Sequence, residues 1–364
     1  MKEDVLAIFN GQRTDKGPSK ETLNHPGLIA MASGLDPYKD TKEAYLRAYE
    51  HLGIDIVNRV PDRNAPVPLK EGESRDLGNG YVQTSLGMYD TVSRNKFPFS
   101  SVDDFLTAKQ EEIDPSYEAL ITPVPHKCTA EDITLREKTL GDRGVYYYML
   151  YTTLFMWGVE YLGWETYMMA SALDELFLKE QFLDKVLPLS LELTKIQCRS
   201  TCPFVFHHDD LADARGPVFD PSFYDKYIFP SYQTLWAPVK DAGKKLIYVA
   251  DGNMEPFLDQ LKEAGVDGVM LENPATDFDS ILDAFNDGII IGGVDTQVLT
   301  FQTPDVIKKH VRELHEKVKG IPGFVISTPG GLHGNIPLEN LEAYFDIRAE
   351  LGYTPENWKW VSRN

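Results

Sequence analysis

The sequence lacks a long hydrophobic run and contains few cysteines, and both absences restrict where the protein can work. No stretch of about 18 apolar residues occurs in the 364-residue chain, so the sequence predicts no membrane-spanning helix. The opening segment MKEDVLAIFNGQR contains Glu3 and Asp4 and no apolar core, which is not typical of a signal peptide. The 3 cysteines are too few for a disulfide framework. We therefore expect a protein of a reducing compartment, the cytoplasm.

Positive charge is also scarce. The chain has 36 Lys and Arg residues against 56 Asp and Glu residues, which gives a formal net charge of −20. Binding to nucleic acid requires clustered Lys and Arg, so this composition argues against it, and an anionic membrane surface is disfavoured for the same reason. An acidic surface favours solubility and can steer a basic partner protein.

Several common catalytic motifs are missing as well. The sequence contains no GxxxxGK[ST], no HExxH, no GxSxG and no GxGxxG. P-loop, zincin and nucleophile-elbow chemistries therefore lose support, as does the simplest dinucleotide-binding site. No repeat of fixed period is found, which argues against solenoids and propellers.

The second half of the chain alternates short apolar runs with helical patterns. The predicted strands are CPFVFHH (202–208), KLIYVAD (245–251), VDGVMLE (266–272), GIIIGGVD (288–295) and GFVIST (323–328), and the predicted helices are 221–242, 254–264 and 304–319. Strands that are apolar on both faces and separated by helices are typical of a parallel sheet. We expect a single α/β domain over residues 1–364, a (β/α)₈ TIM barrel, with helical and hairpin elaborations over about 1–140.

The first half is less regular. Residues 53–60 are the predicted first strand, 80–94 a hairpin-like excursion, and 144–153 a further strand. Residues 155–176 are strongly apolar and aromatic, which predicts a buried helix or one that lines an aromatic pocket.

In such a barrel, polar residues at the carboxyl ends of the strands form the active-site mouth. The strand ends supply these candidates: His207, His208, Asp209, Asp210, Asp251, Glu272, Asn273 and Asp295, with His333 in the following loop TPGGLHGNIP. Asp251, Glu272 and His333 would make an O,O,N set for a metal such as zinc, or an acid/base group.

Each candidate has an ordinary structural alternative. Asp295 is also placed to cap the helix that follows it, and Asp251 to serve as a turn residue in Asp-Gly-Asn. Side chains alternate along a strand, so only one of His207 and His208 is expected to face inward. His310 is expected to be solvated on a charged helix.

The residues also resemble a known family. FHHDDLADARGPVFDPSFYDKYIFPSYQTL resembles the D-D-L-G…G-P-x-x-S-P-x-x-F…P-Y segment of the uroporphyrinogen decarboxylase superfamily, and YVADGNMEPFLDQLKEAGVDGVMLEN, GGVDTQVLTFQTPDVIKKHVREL and GFVISTPGGLHGNIPLENLEAYFD continue the match in order. The opening FNGQRTDKGP is similar to the superfamily's N-G-x-x-x-D-x-x-P. The resemblance implies a TIM barrel.

Departures from the superfamily's motifs point to one of its branches. The R-Q-A-G-R-Y motif of the decarboxylases, whose arginines hold porphyrinogen carboxylates, is replaced by LNHPGLIAMASG, with no arginine between Arg13 and Arg47. The zinc-binding H-x-C pair of the methyltransferases that act on coenzyme M corresponds to Val249 and Asp251, and the later G-C loop to GGLHG. The sequence is therefore more similar to the corrinoid-dependent methyltransferases that demethylate ethers.

That resemblance implies a methyltransferase component of an O-demethylase, which moves a methyl group from a methoxylated donor to the Co(I) corrinoid of a separate carrier protein. His207, His208, Asp209 and Asp210 are then the expected catalytic or substrate-contacting residues, with Tyr148, Tyr151, Asn273 and Asp295 as substrate contacts and zinc on Asp251, Glu272 and His333. A decarboxylase of another small acid and a non-catalytic binding barrel stay open as alternatives. So does a homodimer.

Overall fold

The structure of the chain is a computed structural model. The structure describes residues 2–12, 17–60, 72–78, 80–86, 88, 90–116, 120 and 129–361. Cys128, one of the three cysteines, lies outside these residues. Cys198 and Cys202 are both free thiols.

Within the described ranges, eight short parallel strands form the centre of the molecule. They are β1 (Ser19–Lys20), β2 (Ile56–Val57), β3 (Val145–Tyr146 and Met149–Leu150), β4 (Phe204–His208), β5 (Lys245–Ala250), β6 (Gly268–Leu271), β7 (Ile289–Gly293) and β8 (Phe324–Ser327). Each strand pairs in parallel with the next, and β8 pairs with β1. The two halves of β3 occupy opposite ends of the strand order, so the sheet closes on itself. The predicted TIM barrel is confirmed.

Alternation along the strands divides the core into two parts. One set of side chains fills the barrel and includes Ile56, Phe206, Val249, Ile291 and Val325. The amino-terminal helix Lys2–Phe9 contributes Val5, Ile8 and Phe9 to the same cluster and covers the amino-terminal end of the barrel. The other set packs outward against the helices. Because both faces are buried, the strands appear in the sequence as continuous apolar runs.

The helices surround this barrel. Their bounds are Lys2–Phe9, Pro26–Ser33, Thr41–Leu52, Val102–Leu106, Ala130–Leu140, Met156–Leu162, Trp164–Leu173, Glu175–Leu178, Asp184–Cys198, Pro221–Phe223, Phe229–Asp241, Leu258–Ala264, Phe278–Phe285, Thr296–Phe301, Pro304–Val318 and Leu338–Glu350. Within the described residues, none of these helices has the length and apolarity that a membrane crossing requires.

Two sequence predictions about the first half need correction. Residues 155–176 are not one helix, because Gly163 (φ 76°) ends the first helix and a second begins at Trp164. Residues 53–60 contain β2, while the first strand is the two-residue β1. That strand lies in the polar run Ser-Lys-Glu-Thr, where no apolar pattern announces it.

The excursion near residue 80 is an antiparallel sheet. Its strands are Ser74–Gly78, Tyr81–Ser85 and Asp90–Arg94, with Tyr81–Ser85 in the centre. Arg59, which follows β2, donates a hydrogen bond to the carbonyl of Met88, so this sheet contacts the carboxyl end of the barrel.

Candidate functional site

The end of β4 sends its side chains alternately into the barrel and toward the helices. Phe204 and Phe206 belong to the cluster inside the barrel, so His208, two residues on, also faces inward. His207 faces outward. Its Nε2 lies 2.8 Å from Gln197 Oε1, and its Nδ1 accepts a hydrogen bond of 3.0 Å from Trp236 Nε1. The expectation that one histidine of this pair would be a bystander fits the geometry, and the bystander is His207.

Asp209 likewise faces away from the mouth. Its two carboxylate oxygens accept hydrogen bonds from the backbone amides of residues 153–156 and from the hydroxyls of Thr153 and Tyr232. Burial raises the pKa of this carboxyl group, although those donors act in the opposite direction. The expected grouping of four catalytic residues is therefore corrected, because His207 and Asp209 hold the end of β4 in place from outside the barrel.

The backbone after β4 is held equally firmly. Tyr248 donates a hydrogen bond of 2.6 Å to the carbonyl of Asp209, and Tyr224 donates one of 2.7 Å to the carbonyl of Leu211. Both tyrosines are fully buried. Asp210 lies between these two anchored peptides, so its position at the mouth is fixed by the packing of the outer core.

Three side chains at the ends of β4 and β5 come together at the mouth. One ligand atom each from His208, Asp210 and Asp251 lies within 4.8 Å of the others. His208 Nε2 is 3.2 Å from Asp210 Oδ1, and that oxygen also accepts a hydrogen bond of 2.9 Å from the backbone amide of Asp251. We call these three residues the mouth triad.

Contacts with Tyr151 set the orientation of the His208 ring. Its Nδ1 lies 2.7 Å from the carbonyl oxygen of Tyr151, so Nδ1 carries a proton and donates it to that oxygen. The Tyr151 ring stacks on the imidazole with a centroid separation of 4.3 Å. In the neutral imidazole the Nε2 lone pair then points at a carboxylate, an arrangement that needs a proton or a metal ion between the two groups.

The electrostatics of the mouth triad favour a bound cation. Burial and the charge of Asp210 raise the pKa of Asp251, with His208 in opposition. Burial would also raise the pKa of Asp210, but the hydrogen bond and charge of His208 outweigh it and the pKa is lowered. For His208, burial lowers the pKa and the contacts with Asp210 raise it, with a net rise. A cation placed among the three groups would relieve the repulsion between the carboxylates.

A glycine turn positions Asp251. Gly252 has a φ of +79°, and a Cβ atom there would lie 2.3 Å from the carbonyl oxygen of Ala212. The backbone amide of Asn253 donates to the carbonyl of Asp213 at 2.8 Å. The loops after β4 and β5 are thus in direct backbone contact, which explains the Asp-Gly-Asn sequence and brings Asp210 and Asp251 together.

The other predicted metal ligands lie elsewhere on the rim. Glu272 is close enough for the charges of Asp251, Asp210 and Asp295 to raise its pKa, after the larger effect of burial. It is not part of the mouth triad, and neither is His333. His333 pairs with Asn24 beyond the ends of β8 and β1, and its Nδ1 accepts a hydrogen bond from the amide of Asn335. The expected set of Asp251, Glu272 and His333 is therefore revised: only Asp251 remains in the cluster.

Of the four predicted substrate contacts, some lie at the mouth and others have structural roles. Tyr151 is at the mouth, with 56% of its surface exposed. Asn273 has a buried side-chain oxygen for which the described part of the chain supplies no hydrogen-bond partner. Asp295 caps the helix Thr296–Phe301 by accepting from the amide of Gln297, which was the alternative given for it. Tyr148 packs against the outer core, so it does not line the barrel.

A cavity of about 610 Å³ lies at the opposite end of the barrel. It is lined by the amino-terminal helix and the loops before β5, β6, β7 and β8, and its two lysines, Lys245 and Lys262, are paired with Asp267 and Asp287. Its described lining contains none of the polar residues that follow the carboxyl ends of the strands, so we place the functional site at the mouth.

Comparison with known proteins identifies the family. Residues 166–351, which contain β4 to β8 and the mouth triad, match the family model described as uroporphyrinogen decarboxylase (URO-D). The chain belongs to the uroporphyrinogen decarboxylase family. Curated relatives include the uroporphyrinogen decarboxylases of Carboxydothermus hydrogenoformans (27% identical over 135 residues, 37% of this chain and 38% of the relative) and Geotalea daltonii (26% over 158 residues, 43% and 44%). The matched segment spans about two fifths of the length of these relatives.

A solved structure extends the likeness of fold to nearly the whole chain. A methyltransferase from Methanosarcina mazei superimposes with a TM-score of 0.64 over 96% of this chain and 98% of its own, at 16% identity. At that identity the likeness shows a common fold. This member of the uroporphyrinogen decarboxylase family and the methyltransferase share the TIM barrel.

Proposed function

We propose that this chain is a methyltransferase that removes a methyl group from a methoxylated small molecule, aromatic methyl ethers included, and passes it to the Co(I) corrinoid of a separate carrier protein. The observation that carries the proposal is the mouth triad, an imidazole nitrogen and two carboxylates within 4.8 Å of one another at the carboxyl end of the barrel. The methyltransferase of the same fold from Methanosarcina mazei supports it.

The mouth triad fits a divalent metal such as zinc. It offers one nitrogen and two oxygen ligands, which leaves a coordination position open for a substrate oxygen. The Nδ1–H of His208 donates to a backbone carbonyl, the arrangement that commonly orients a metal-bound imidazole. When bound, zinc supplies a Lewis acid that stabilises negative charge on the oxygen that loses its methyl group. Because none of the three ligands of the mouth triad is a thiolate, the site is hard and suits an oxygen rather than a sulfur substrate.

The chain's own residues do the remaining work. His208, Asp210 and Asp251 would hold the metal at a fixed point, because the backbones that present them are anchored by Tyr248, by Tyr224 and by the Gly252 turn. The exposed ring of Tyr151 offers a flat surface beside His208 on which a planar substrate can stack. The corrinoid is supplied by the carrier protein, and the open mouth is where the two proteins would meet.

Decarboxylation of a small acid is the second candidate, because the family model and the curated relatives are named for it. The acidic rim opposes a substrate with many carboxylates. Asp210, Asp251 and Glu272 face one another there, and burial and mutual repulsion raise the pKa of Asp251 and of Glu272. The carboxylates of a porphyrinogen would be repelled by these negatively charged groups.

The decisive experiment supplies the purified protein with zinc, a methoxylated donor and cob(I)alamin as the acceptor. We expect methylcobalamin to form, detected by its absorbance, with no release of CO₂ from carboxylic acids. The variant His208→Ala should lower the rate by at least about 100-fold, because it removes one of three ligands. The matched variant His333→Gln should leave the rate within a few-fold. Release of CO₂ without methyl transfer would favour the decarboxylase.

A further inference from the structure

The barrel contains a buried lysine that the mouth triad does not use. Lys20 in β1 is 1% exposed. It pairs in register with Ile56 and Ser327, and Ile56 belongs to the cluster inside the barrel, so Lys20 faces inward. The neighbouring Glu21 faces outward and forms a buried ion pair of 2.9 Å with Arg348 in the helix Leu338–Glu350.

Among the residues that the structure describes, this lysine has no counter-ion. Its Nζ donates a hydrogen bond of 3.1 Å to Thr22 Oγ1, and within the described residues no carboxylate oxygen lies within 4.0 Å of it. The adjacent Ser327 Oγ is buried and has no hydrogen-bond partner among the described residues. Burial lowers the pKa of Lys20 to about 8, although the charge of Glu21 acts in the opposite direction. The side chain is therefore still mostly protonated, and so charged, at pH 7. A buried charge without a partner is unfavourable and calls for a negatively charged group nearby.

A short polar chain connects the lysine to the mouth. Thr22, two residues further along the same face of the strand, is partly exposed and donates to Asn58 Oδ1 at 3.5 Å. Asn24 continues this face and accepts a hydrogen bond of 2.8 Å from Arg59, while His333 is its partner in register. Within the described part of the chain, this side of the mouth therefore presents cations and neutral polar groups and no carboxylate. We call Lys20, Thr22 and Asn58 the β1–β2 wall.

The opposite side of the mouth is acidic. Asp210, Asp251 and Glu272 follow β4, β5 and β6, and in a closed eight-stranded barrel β5 lies across the axis from β1. A small molecule in the mouth would thus have the mouth triad on one side and the β1–β2 wall on the other. Such a division of charge orients a ligand that has one anionic group, because the acidic side repels that group and the opposite side attracts it.

We propose that the β1–β2 wall binds an anionic oxygen group of the small-molecule ligand, of the carboxylate type. The side-chain NH₂ of Asn58 donates one hydrogen bond, the Thr22 hydroxyl turns from Asn58 Oδ1 to donate a second, and the Lys20 ammonium beneath them supplies the charge. The inference rests on the proposed function in one respect, that the ligand is the methyl donor. The donor is then a methoxylated organic acid whose ether oxygen lies at the mouth triad and whose carboxylate lies at the β1–β2 wall.

The test is calorimetric titration with 4-methoxybenzoate and the neutral analogue 4-methoxybenzamide, which differ in charge and little in shape. The wild-type protein should bind the acid more tightly than the amide. A hydrogen bond assisted by charge makes a difference of about 10- to 100-fold in affinity, so Lys20→Met should weaken binding of the acid by that factor and leave the amide unchanged. Lys20→Arg should keep the preference, and Lys309→Met, at an exposed helix position, should change neither affinity.

Unchanged affinity of Lys20→Met for the acid would overturn the proposal, and so would equal loss of acid and amide binding, which marks a structural role. If Lys20→Met does not fold, Thr22→Val provides the same comparison at a partly exposed position, with a loss of the acid's advantage expected. An intact preference for the acid without methyl transfer to cob(I)alamin would contradict the proposed function and leave the anion site standing.

Discussion

Asp209 provides a direct test of whether the residues after β4 act by chemistry or by support. The substitution Asp209→Asn keeps the shape of the side chain and replaces one carboxylate oxygen with an NH₂ group. Oδ1 accepts from the amides of Thr153 and Met156, and Oδ2 from those of Leu154 and Phe155. Whichever way the asparagine amide turns, two buried backbone N–H groups lose their acceptor and face a donor.

The cost follows from these contacts. An unsatisfied buried donor costs about 1–3 kcal/mol, so two of them should lower the free energy of unfolding by about 2–6 kcal/mol. That is a large fraction of the stability of a typical domain, which is about 5–15 kcal/mol. Urea denaturation measures the difference, with Asp220→Asn as the matched control, because Asp220 is an exposed helix cap where asparagine serves as well as aspartate.

The outcome separates two roles for this residue. A supporting Asp209 predicts a destabilised variant. Near-normal stability of Asp209→Asn together with loss of methyl transfer would place Asp209 in the chemistry and refute the structural role that we assign to it.

Three further predictions concern other parts of the fold. Gly252→Ala should displace Asp251, because its Cβ would overlap the carbonyl of Ala212; we expect loss of metal in elemental analysis with the circular dichroism spectrum retained, and full metal content would contradict the role of the turn. Arg348→Met should lower the free energy of unfolding by about 3–5 kcal/mol in denaturant titrations, because it leaves the buried Glu21 carboxylate without its partner; a loss below about 1 kcal/mol would refute this. Burial lowers the pKa of His310, which accepts a hydrogen bond from the amide of Asp295, so the unfolded chain binds its proton first and stability should fall as pH decreases through about 6.5, by at most about 1.4 kcal/mol per unit. His310→Gln should reduce that slope, and an unchanged slope would exclude the histidine as its source.

The barrel could be predicted from the second half of the chain because strands covered on both faces leave continuous apolar runs. For β4 to β8 the predicted strands each contain an observed one. The strand β1 could not be found, because Ser19 and Lys20 are polar and their burial depends on neighbours distant in the sequence. Lys20 was missed for that reason, and the first strand was placed at residues 53–60 instead.

The sequence predicts a site at the carboxyl end of the barrel, which is where the mouth triad lies, but it does not predict which residues come together there. Alternation limits the inward histidines to one, yet the choice of His208 over His207 depends on which face of β4 packs on Trp236 and Gln197. The sequence also gives no measure of how closely neighbouring loops approach. The contact of Gly252 with Ala212 brings Asp251 to Asp210, and it leaves Glu272 and His333 outside the mouth triad.

The central claim is that His208, Asp210 and Asp251 together hold a metal ion, and elemental analysis of the protein after loading with zinc and desalting tests it most directly. We predict one zinc per chain in the wild type and in His333→Gln, and less than about one tenth of that in His208→Ala and Asp251→Ala. Full occupancy in the latter two variants, or its loss in His333→Gln alone, would contradict the account.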